Sequence, residues 1–525
     1  MSENLVVLGD QDLSGMVFDH IVTVAEELFE RADERRRALA TGQDVQQHQR
    51  YVRETFTAML GGFPERTPLN ARPAGTLRRE GYRVEKLLFE SRPFFYVTAN
   101  LYLPERRDAA PAVLVPCGHA PQGKAHETYQ ALAQGLAKKG FVALVYDPIG
   151  QGERSQYWEP LVERSRLGLC SPEHDYAGTQ ALLVGRHFAG WRVWDAIRAV
   201  DYLVGRDEVD VARIGCVGCS GGGTVTTYLF ALDERIRAAV PVCYVTSREA
   251  WLATGAFADA EQVQDGAIAR GIDHCDLLIA GAPRALRIGA ARGDYFPIEG
   301  TRRAFDAARR AYALLQAPEC IDLAEAEGEH GLSQPLREAA YGWCHQWLGH
   351  PAEDASEPAV QPERPEELWC APGGQVHALG SRTVFSFTRD EALSLPPTQS
   401  AMTSRGDAEL WQDELRGALR DLLRCPASSG APFCYQHGAF FRGSVGIERV
   451  SFQSERGITV PGLLFVPERE GRWPGILYVH EGGKEAEAGP RGTAQMLAGE
   501  GNVVLAIDVR GVGETASQDS IRGQH

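Results

Sequence analysis

The chain has 525 residues, too many for one ordinary domain, and its 44% hydrophobic and 24% charged content is that of a globular protein. A net charge of −16, with no lysine- or arginine-rich run, argues against a nucleic-acid surface. The opening residues MSENLVVLGDQDLSG carry neither a basic head with an apolar core nor a membrane span. Eleven cysteines lie without repeating spacing, so a cytoplasmic chain with reduced thiols and no membrane partner is expected, although a removed signal would leave the same sequence.

Residues 17–60 have helical periodicity, with Val22, Ala25, Leu28 and Phe29 on the apolar side and a dense charged face, and Gly61-Gly62-Phe63-Pro64 ends them. From Tyr82 the pattern changes to strands: RVEKLLFES, FFYVTANLYLP and the continuous apolar run AAPAVLVPCG. A helix at 127–139 and the strand FVALVYD follow, a parallel crossover. The loop Asp147-Pro148-Ile149-Gly150-Gln151-Gly152-Glu153-Arg154 then leaves the carboxyl end of a strand, where open α/β sheets hold their sites. It reads as a glycine-permitted turn or as a substrate contact.

An amphipathic helix at 187–204 feeds the strand RIGCVGC, and a helix at 224–233 follows. Between them stands Gly218-x-Ser220-x-Gly222, the spacing of a nucleophile elbow. A serine on so sharp a turn has strained backbone angles, and side chains at the flanking positions would collide with the adjoining elements. The spacing is not that of a dinucleotide loop, and no lysine follows as in a phosphate-binding loop. Cys216 and Cys219 form a C-x-x-C pair, but within a strand and with no second pair to complete a ligand set. The strand AAVPVCYV comes next, whereas 155–185 and 249–282 lack a readable period and are expected to shape the pocket. Asp273-His274-Cys275 invites a metal reading, yet three adjacent side chains converge poorly on one ion, and structural roles are preferred.

The strand ALRIGAA leads to Asp294, and ECIDLAEAEGEHGLS brings His330 onto a loop before a helix at 335–348. Ser220, Asp294 and His330 thus follow one another in the chain order of an α/β-hydrolase triad. Glu299 and Asp322 compete as the acid, and His119, His274 and His345 as the base. The oxyanion is expected between the amide of Gly221 and one from the loop carrying His119 and Ala120. Such acyl transfer needs no metal and no organic cofactor.

Taken together, Gly218-Cys219-Ser220-Gly221-Gly222-Gly223-Thr224, Asp147 to Arg154, Ala282-Pro283-Arg284, Asp294-Tyr295-Phe296-Pro297 and Glu329-His330-Gly331 resemble the acetylxylan-esterase-like, dienelactone-hydrolase-related branch of the α/β hydrolases. The resemblance covers residues 80–350. It implies an α/β-hydrolase fold, a mostly parallel sheet flanked by helices, and a serine carboxylester hydrolase acting on a small-molecule or oligosaccharide ester. A peptidase or amidase on the same scaffold and a non-catalytic binding scaffold are the competing readings.

Residues 351–375 are rich in Pro, Glu and Ala, as in a linker. Beyond them the sequence repeats: Pro104 matches Pro467, Pro111 matches Pro474, and Asp147-x-x-Gly150-x-Gly152-Glu153 matches Asp508-x-x-Gly511-x-Gly513-Glu514. Only 17 residues follow Asp508, so this copy is expected to lack an elbow, an acid and a histidine loop, either as part of a longer tandem protein or as a half-module kept for docking. The expected organisation is a helical preface at 1–75, a catalytic domain at 76–350, a linker at 351–375 and a silent partial module at 376–525 whose exposed edge invites self-association.

Overall fold

The computed structural model describes residues 5–9, 11–105, 108–349, 354–396, 402–424, 430–468 and 471–517. It divides into two units, Glu27–Leu395 and Met1–Glu26 together with Pro396–His525. Among the described residues no helix is long and apolar enough to cross a membrane.

The larger unit is organised by nine strands: β1 (Arg72–Arg79), β2 (Tyr82–Arg92), β3 (Phe95–Pro104), β4 (Ala110–Pro116), β5 (Val142–Tyr146), β8 (Val209–Cys219), β9 (Ile236–Val242), β10 (Ala285–Ala291) and β11 (Ile321–Ala326). A separate small hairpin joins β6 (Trp158–Glu159) to β7 (Arg164–Ser165). The sheet order is β1-β2-β3-β5-β4-β8-β9-β10-β11. Strands β5, β4, β8, β9, β10 and β11 run parallel. β1, β2 and β3 form an antiparallel flank.

Every residue of β3, β4 and β5 is buried, and β4 and β5 are the continuous apolar runs expected where both faces of a sheet are covered. Alternate residues of β4 serve opposite layers. Leu114 joins a cluster with Phe56, Val193, Leu229 and Leu277, while Val113 and Val115 join Leu132, Leu136, Tyr341 and Trp343. Each such fully buried side chain contributes about 1.5–3 kcal/mol relative to exposure. β1, RPAGTLRR, is largely exposed, so it lacks the apolar alternation that would mark it in the sequence.

The expected run at 17–60 is two helices, Met16–Arg37 and Gly42–Met59. Thr41 starts the second, its side chain accepting from the Asp44 amide while Asp44 reaches back to the Thr41 amide. The boundary between the units falls within the first helix.

The expected linker behaves differently from its composition. Residues 351–353 lie outside the described residues, but Glu357 pairs with Arg337 and Glu363 with Arg79, Leu368 is buried, and the amides of Cys370 and Ala371 donate to Glu153. Residues up to Leu395 stay in the larger unit. The acidic composition that suggests a solvated linker is used here in ion pairs across the larger unit's surface.

The smaller unit contains β12 (Cys434–Arg442), β13 (Val445–Glu455), β14 (Ile458–Pro467), β15 (Gly475–Val479) and β16 (Val503–Ile507), in the order β12-β13-β14-β16-β15. That order and its strand directions are those of β1-β2-β3-β5-β4. Even the register shift in β1 at Pro73/Gly75 recurs in β12 at Gln436/Gly438. A buried charge node is also repeated. In the larger unit Lys124 donates from its amide and from Nζ to Asp147, each at 2.8 Å, and its Nζ meets Glu153. In the smaller unit Lys484 donates likewise to Asp508, at 2.7 and 3.0 Å, and meets Glu514 at 2.5 Å. Where Cys370 and Ala371 cap Glu153, the amides of Val7 and Leu8 cap Glu514 at 2.8 and 2.9 Å.

Candidate active site

β8 ends at Cys219 and the helix Gly221–Leu232 begins at once, so Ser220 must turn the chain within one residue. It does so at φ 58°, ψ −124°, a left-handed conformation that costs a non-glycine residue about 1–3 kcal/mol. The elbow also presses against β4: a Cβ at Gly218 would lie 2.8 Å from the Pro116 carbonyl oxygen, and one at Gly222 would overlap that oxygen. Glycine at both positions permits the approach. Gly221 opens the helix, where its amide has no intrahelical acceptor.

β10 and β11 are adjacent and parallel, so the loops that follow them leave the sheet at the same end. Asp294 lies on the first and His330 on the second. His330 Nδ1 is 2.8 Å from Asp294 Oδ1, and the Asp294 side chain is only 2% exposed. Because a carboxylate only accepts, Nδ1 carries a proton, and in the neutral ring Nε2 keeps its lone pair. That lone pair faces the Tyr295 hydroxyl at 3.1 Å. Burial pushes the Tyr295 phenol up to about 12, against a hydrogen bond with the Ser220 side chain that acts in the opposite direction.

The rival residues are otherwise engaged. Asp322 pairs with Arg287 at 2.7 Å, and Glu299 sits in the first turn of the helix Ile298–Leu314. Glu329 is exposed. His345 is buried in the helix Gln334–Leu348 against Phe141. His274 packs on Tyr244, and burial holds its pKa well below the usual imidazole value. Its neighbour Asp273 caps the helix His274–Gly281 and accepts from the Arg248 amide at 3.0 Å.

In the loop after β4, the Ala120 amide already donates to the Gly118 carbonyl at 2.8 Å. Of the residues expected to bind an oxyanion, this leaves the amides of Gly221 and His119. Gln151 braces the loop by donating to the carbonyls of Gly118 and Ala120 at 2.6 and 3.0 Å. Asp147, Gln151, Glu153 and Arg154 are all buried, so the loop after β5 acts here as a strut.

Four residues that the sequence does not single out as site residues, His174, Arg192, Asp259 and Glu261, surround the His119 side chain. His119 Nε2 is 3.0 Å from Glu261 Oε1 and 3.2 Å from Asp259 Oδ2. His174 Nδ1 is 2.9 Å from the same Asp259 oxygen, and Arg192 pairs with Glu261. A Cβ on Gly221 would overlap Glu261 Oε1 and lie 3.1 Å from His119 Nε2, so the cluster adjoins the elbow. Burial lowers the His119 pKa, but Glu261 and Asp259 more than reverse this and raise it; Asp259, despite burial, is held well below the usual carboxylate range by His174 and His119. His174 and Asp259-x-Glu261 fall in the two stretches without period, where only proximity in the fold reveals them. A second group, Cys243, Asp294 and His330, also brings potential metal ligands together, though its histidine and carboxylate are bonded to each other.

The alpha/beta hydrolase fold family matches residues 113–263, which span β4, the elbow and the segment carrying Asp259 and Glu261. The chain has the α/β-hydrolase fold. Among its relatives by sequence, "Putative hydrolase YtaP" of Bacillus subtilis (strain 168) is 24% identical over 313 residues, 56% of this chain and 98% of the relative. "Uncharacterized protein PA2218" of Pseudomonas aeruginosa is 30% identical over 158 residues, 30% of this chain and 35% of that protein. Among solved structures, Methylesterase BT1017 superposes with a TM-score of 0.53 at 20% identity, over 75% of this chain and 81% of its own. At that identity the α/β-hydrolase likeness is one of fold.

Proposed function

We propose that the protein is a serine carboxylester hydrolase in which Ser220 is the nucleophile, His330 the general base and Asp294 the acid that orients it. The observation that carries this reading is the His330 ring, held at Nδ1 by Asp294 at 2.8 Å, on a loop at the same end of the parallel strands as the strained Ser220 elbow.

Ser220 attacks the ester carbonyl as His330 Nε2 takes its proton, and Asp294 stabilises the imidazolium. The oxyanion lies between the Gly221 and His119 amides. His330 then protonates the leaving alcohol, and water cleaves the acyl-enzyme by the reverse route.

Trp251 stacks on Phe296 at 4.6 Å, and Tyr295 lies 4.3 Å from the His330 ring. An aromatic shelf beside the base suits the flat face of a sugar ring, which puts small esters of carbohydrates first. The smaller unit is read as catalytically silent, with the exposed edge of β15 as its site of self-association.

The test is labelling by a fluorophosphonate probe together with hydrolysis of p-nitrophenyl acetate and an acetylated xylo-oligosaccharide. Label and ester turnover should both disappear in Ser220→Ala, by about four to six orders of magnitude in rate. A folded wild type that neither labels nor turns over would refute the reading.

A further inference from the structure

We propose that His119, His174, Asp259 and Glu261 form a binding site for one divalent transition-metal ion of the zinc type, through His119 Nε2, His174 Nδ1, Asp259 Oδ2 and Glu261 Oε1. One potential ligand atom from each residue lies within 4.8 Å of all the others. Neighbouring donors stand 2.9, 3.0 and 3.2 Å apart, the spacing of atoms about 2.0–2.2 Å from a shared ion.

Three of the four side chains use one polar atom for support and turn the other inward. His174 Nε2 faces the Ile149 carbonyl at 2.8 Å; a carbonyl only accepts, so Nε2 bears the proton and Nδ1 has a lone pair. In the neutral ring that lone pair faces Asp259 Oδ2, and a metal ion or a second proton must lie between them. Asp259 Oδ1 accepts from the Glu261 amide at 2.9 Å, leaving Oδ2 turned in. Glu261 pairs through Oε2 with Arg192, leaving Oε1. A carbonyl fixing a ligand histidine's tautomer and a charged partner behind a ligand carboxylate are the usual outer supports of metal ligands.

A proton on each histidine is the competing way to supply positive charge. It accounts for His174, but His119 Nε2 approaches two carboxylate oxygens closely and makes a hydrogen bond of acceptable direction to neither. Neither Glu261 oxygen, although buried, accepts one either. Of the close contacts among the four ligand-type atoms only His174–Asp259 has the direction of a hydrogen bond; those of His119 do not, as expected of lone pairs gathered around an ion. Two imidazoles with two carboxylates are donors that divalent transition-metal ions accept, and with the Arg192 guanidinium behind Glu261 the loaded cluster carries a net charge of +1. The ion would pin the segment 259–261 and the helix Ser171–Leu182 to the loop after β4, against Gly221. The assignment does not depend on the esterase reading.

The experiment uses the full chain, stripped with chelator, titrated with Co2+ and followed by visible absorption, with Zn2+ as competitor. One Co2+ per chain should bind without a thiolate charge-transfer band and be displaced by Zn2+. Zn2+ should raise the thermal midpoint of the wild type. In His174→Gln and Glu261→Gln the affinity should fall at least tenfold, whereas His330→Gln, which disrupts the Cys243 group, should bind like wild type. If the variants do not fold, a wild-type crystal grown with Zn2+ decides, through an anomalous peak among the four side chains. No uptake by the wild type, uptake unchanged in both variants, or a peak elsewhere overturns the proposal.

Discussion

Asp294→Asn is the substitution that most directly tests the arrangement around Ser220. The variant keeps the shape of the side chain and removes its charge. Two unit charges 2.8 Å apart attract by roughly 6 kcal/mol at an effective dielectric of about 20. Lost from the transition state, where His330 is an imidazolium, that is about four orders of magnitude in rate. An amide oxygen retained toward Nδ1 and the Phe296 amide, which donates to Asp294 Oδ1 at 3.0 Å, recovers part of it. A fall of about three to four orders of magnitude in kcat/KM is therefore expected. The assay is p-nitrophenyl acetate hydrolysis, with circular dichroism to establish that the variant is folded. Asp322→Asn and Glu299→Gln run alongside and should stay within about threefold of wild type, since Asp322 is committed to Arg287 and Glu299 to a helix terminus. Less than tenfold loss in Asp294→Asn, or collapse of activity in either control, would refute the assignment of the acid.

Further expectations follow from particular contacts. Gly222→Ala drives a methyl group into the Pro116 carbonyl of β4, backbone that cannot swing aside, and should cost on the order of 3 kcal/mol, read as a lower urea midpoint. Tyr295→Phe removes the hydroxyl that faces His330 Nε2; a substrate using that nitrogen as base displaces the hydroxyl, so kcat should stay within about threefold of wild type, and a hundredfold loss would make Tyr295 part of the chemistry. Glu325 is held down to about 2 by hydrogen bonds from Arg302 and Arg292, both about half exposed. A lowered carboxyl pKa stabilises the fold above the ordinary value of 4.5 and loses that contribution as pH falls toward 2. Solvent screening keeps it under about 1 kcal/mol, so the urea midpoints of wild type and Glu325→Gln should differ slightly at pH 7 and converge near pH 2; a gap independent of pH contradicts the ion-pair origin.

The elements legible in the sequence are those whose residues announce their surroundings. The run AAPAVLVP reads as a central strand because both faces of β4 are covered, and Gly218-x-Ser220-x-Gly222 reads as a turn because only glycines tolerate the Pro116 carbonyl there. The edge strand β1 was not legible, being exposed along most of its length, and neither was the attachment of residues 356–395, where Glu363 finds Arg79 far away in sequence.

The second copy illustrates the limit best. Its matching prolines and glycines are visible by inspection, because turn chemistry is local. The matching cap is not: Leu368-Trp369-Cys370-Ala371 and Leu5-Val6-Val7-Leu8 share little beyond a leucine, yet both offer two successive backbone amides to the glutamate of a Lys-Asp-Glu node. Backbone donors place almost no demand on side-chain identity, so the interaction can persist while the sequence drifts. The same reasoning covers the cluster around His119. Its ligand-type atoms come from the loop after β4, the helix Ser171–Leu182 and the segment 259–261, and each residue taken singly is an ordinary polar residue. Their meaning lies in distances of about 3 Å that only the folded chain creates, and a search of the sequence for metal motifs of fixed spacing passes over them.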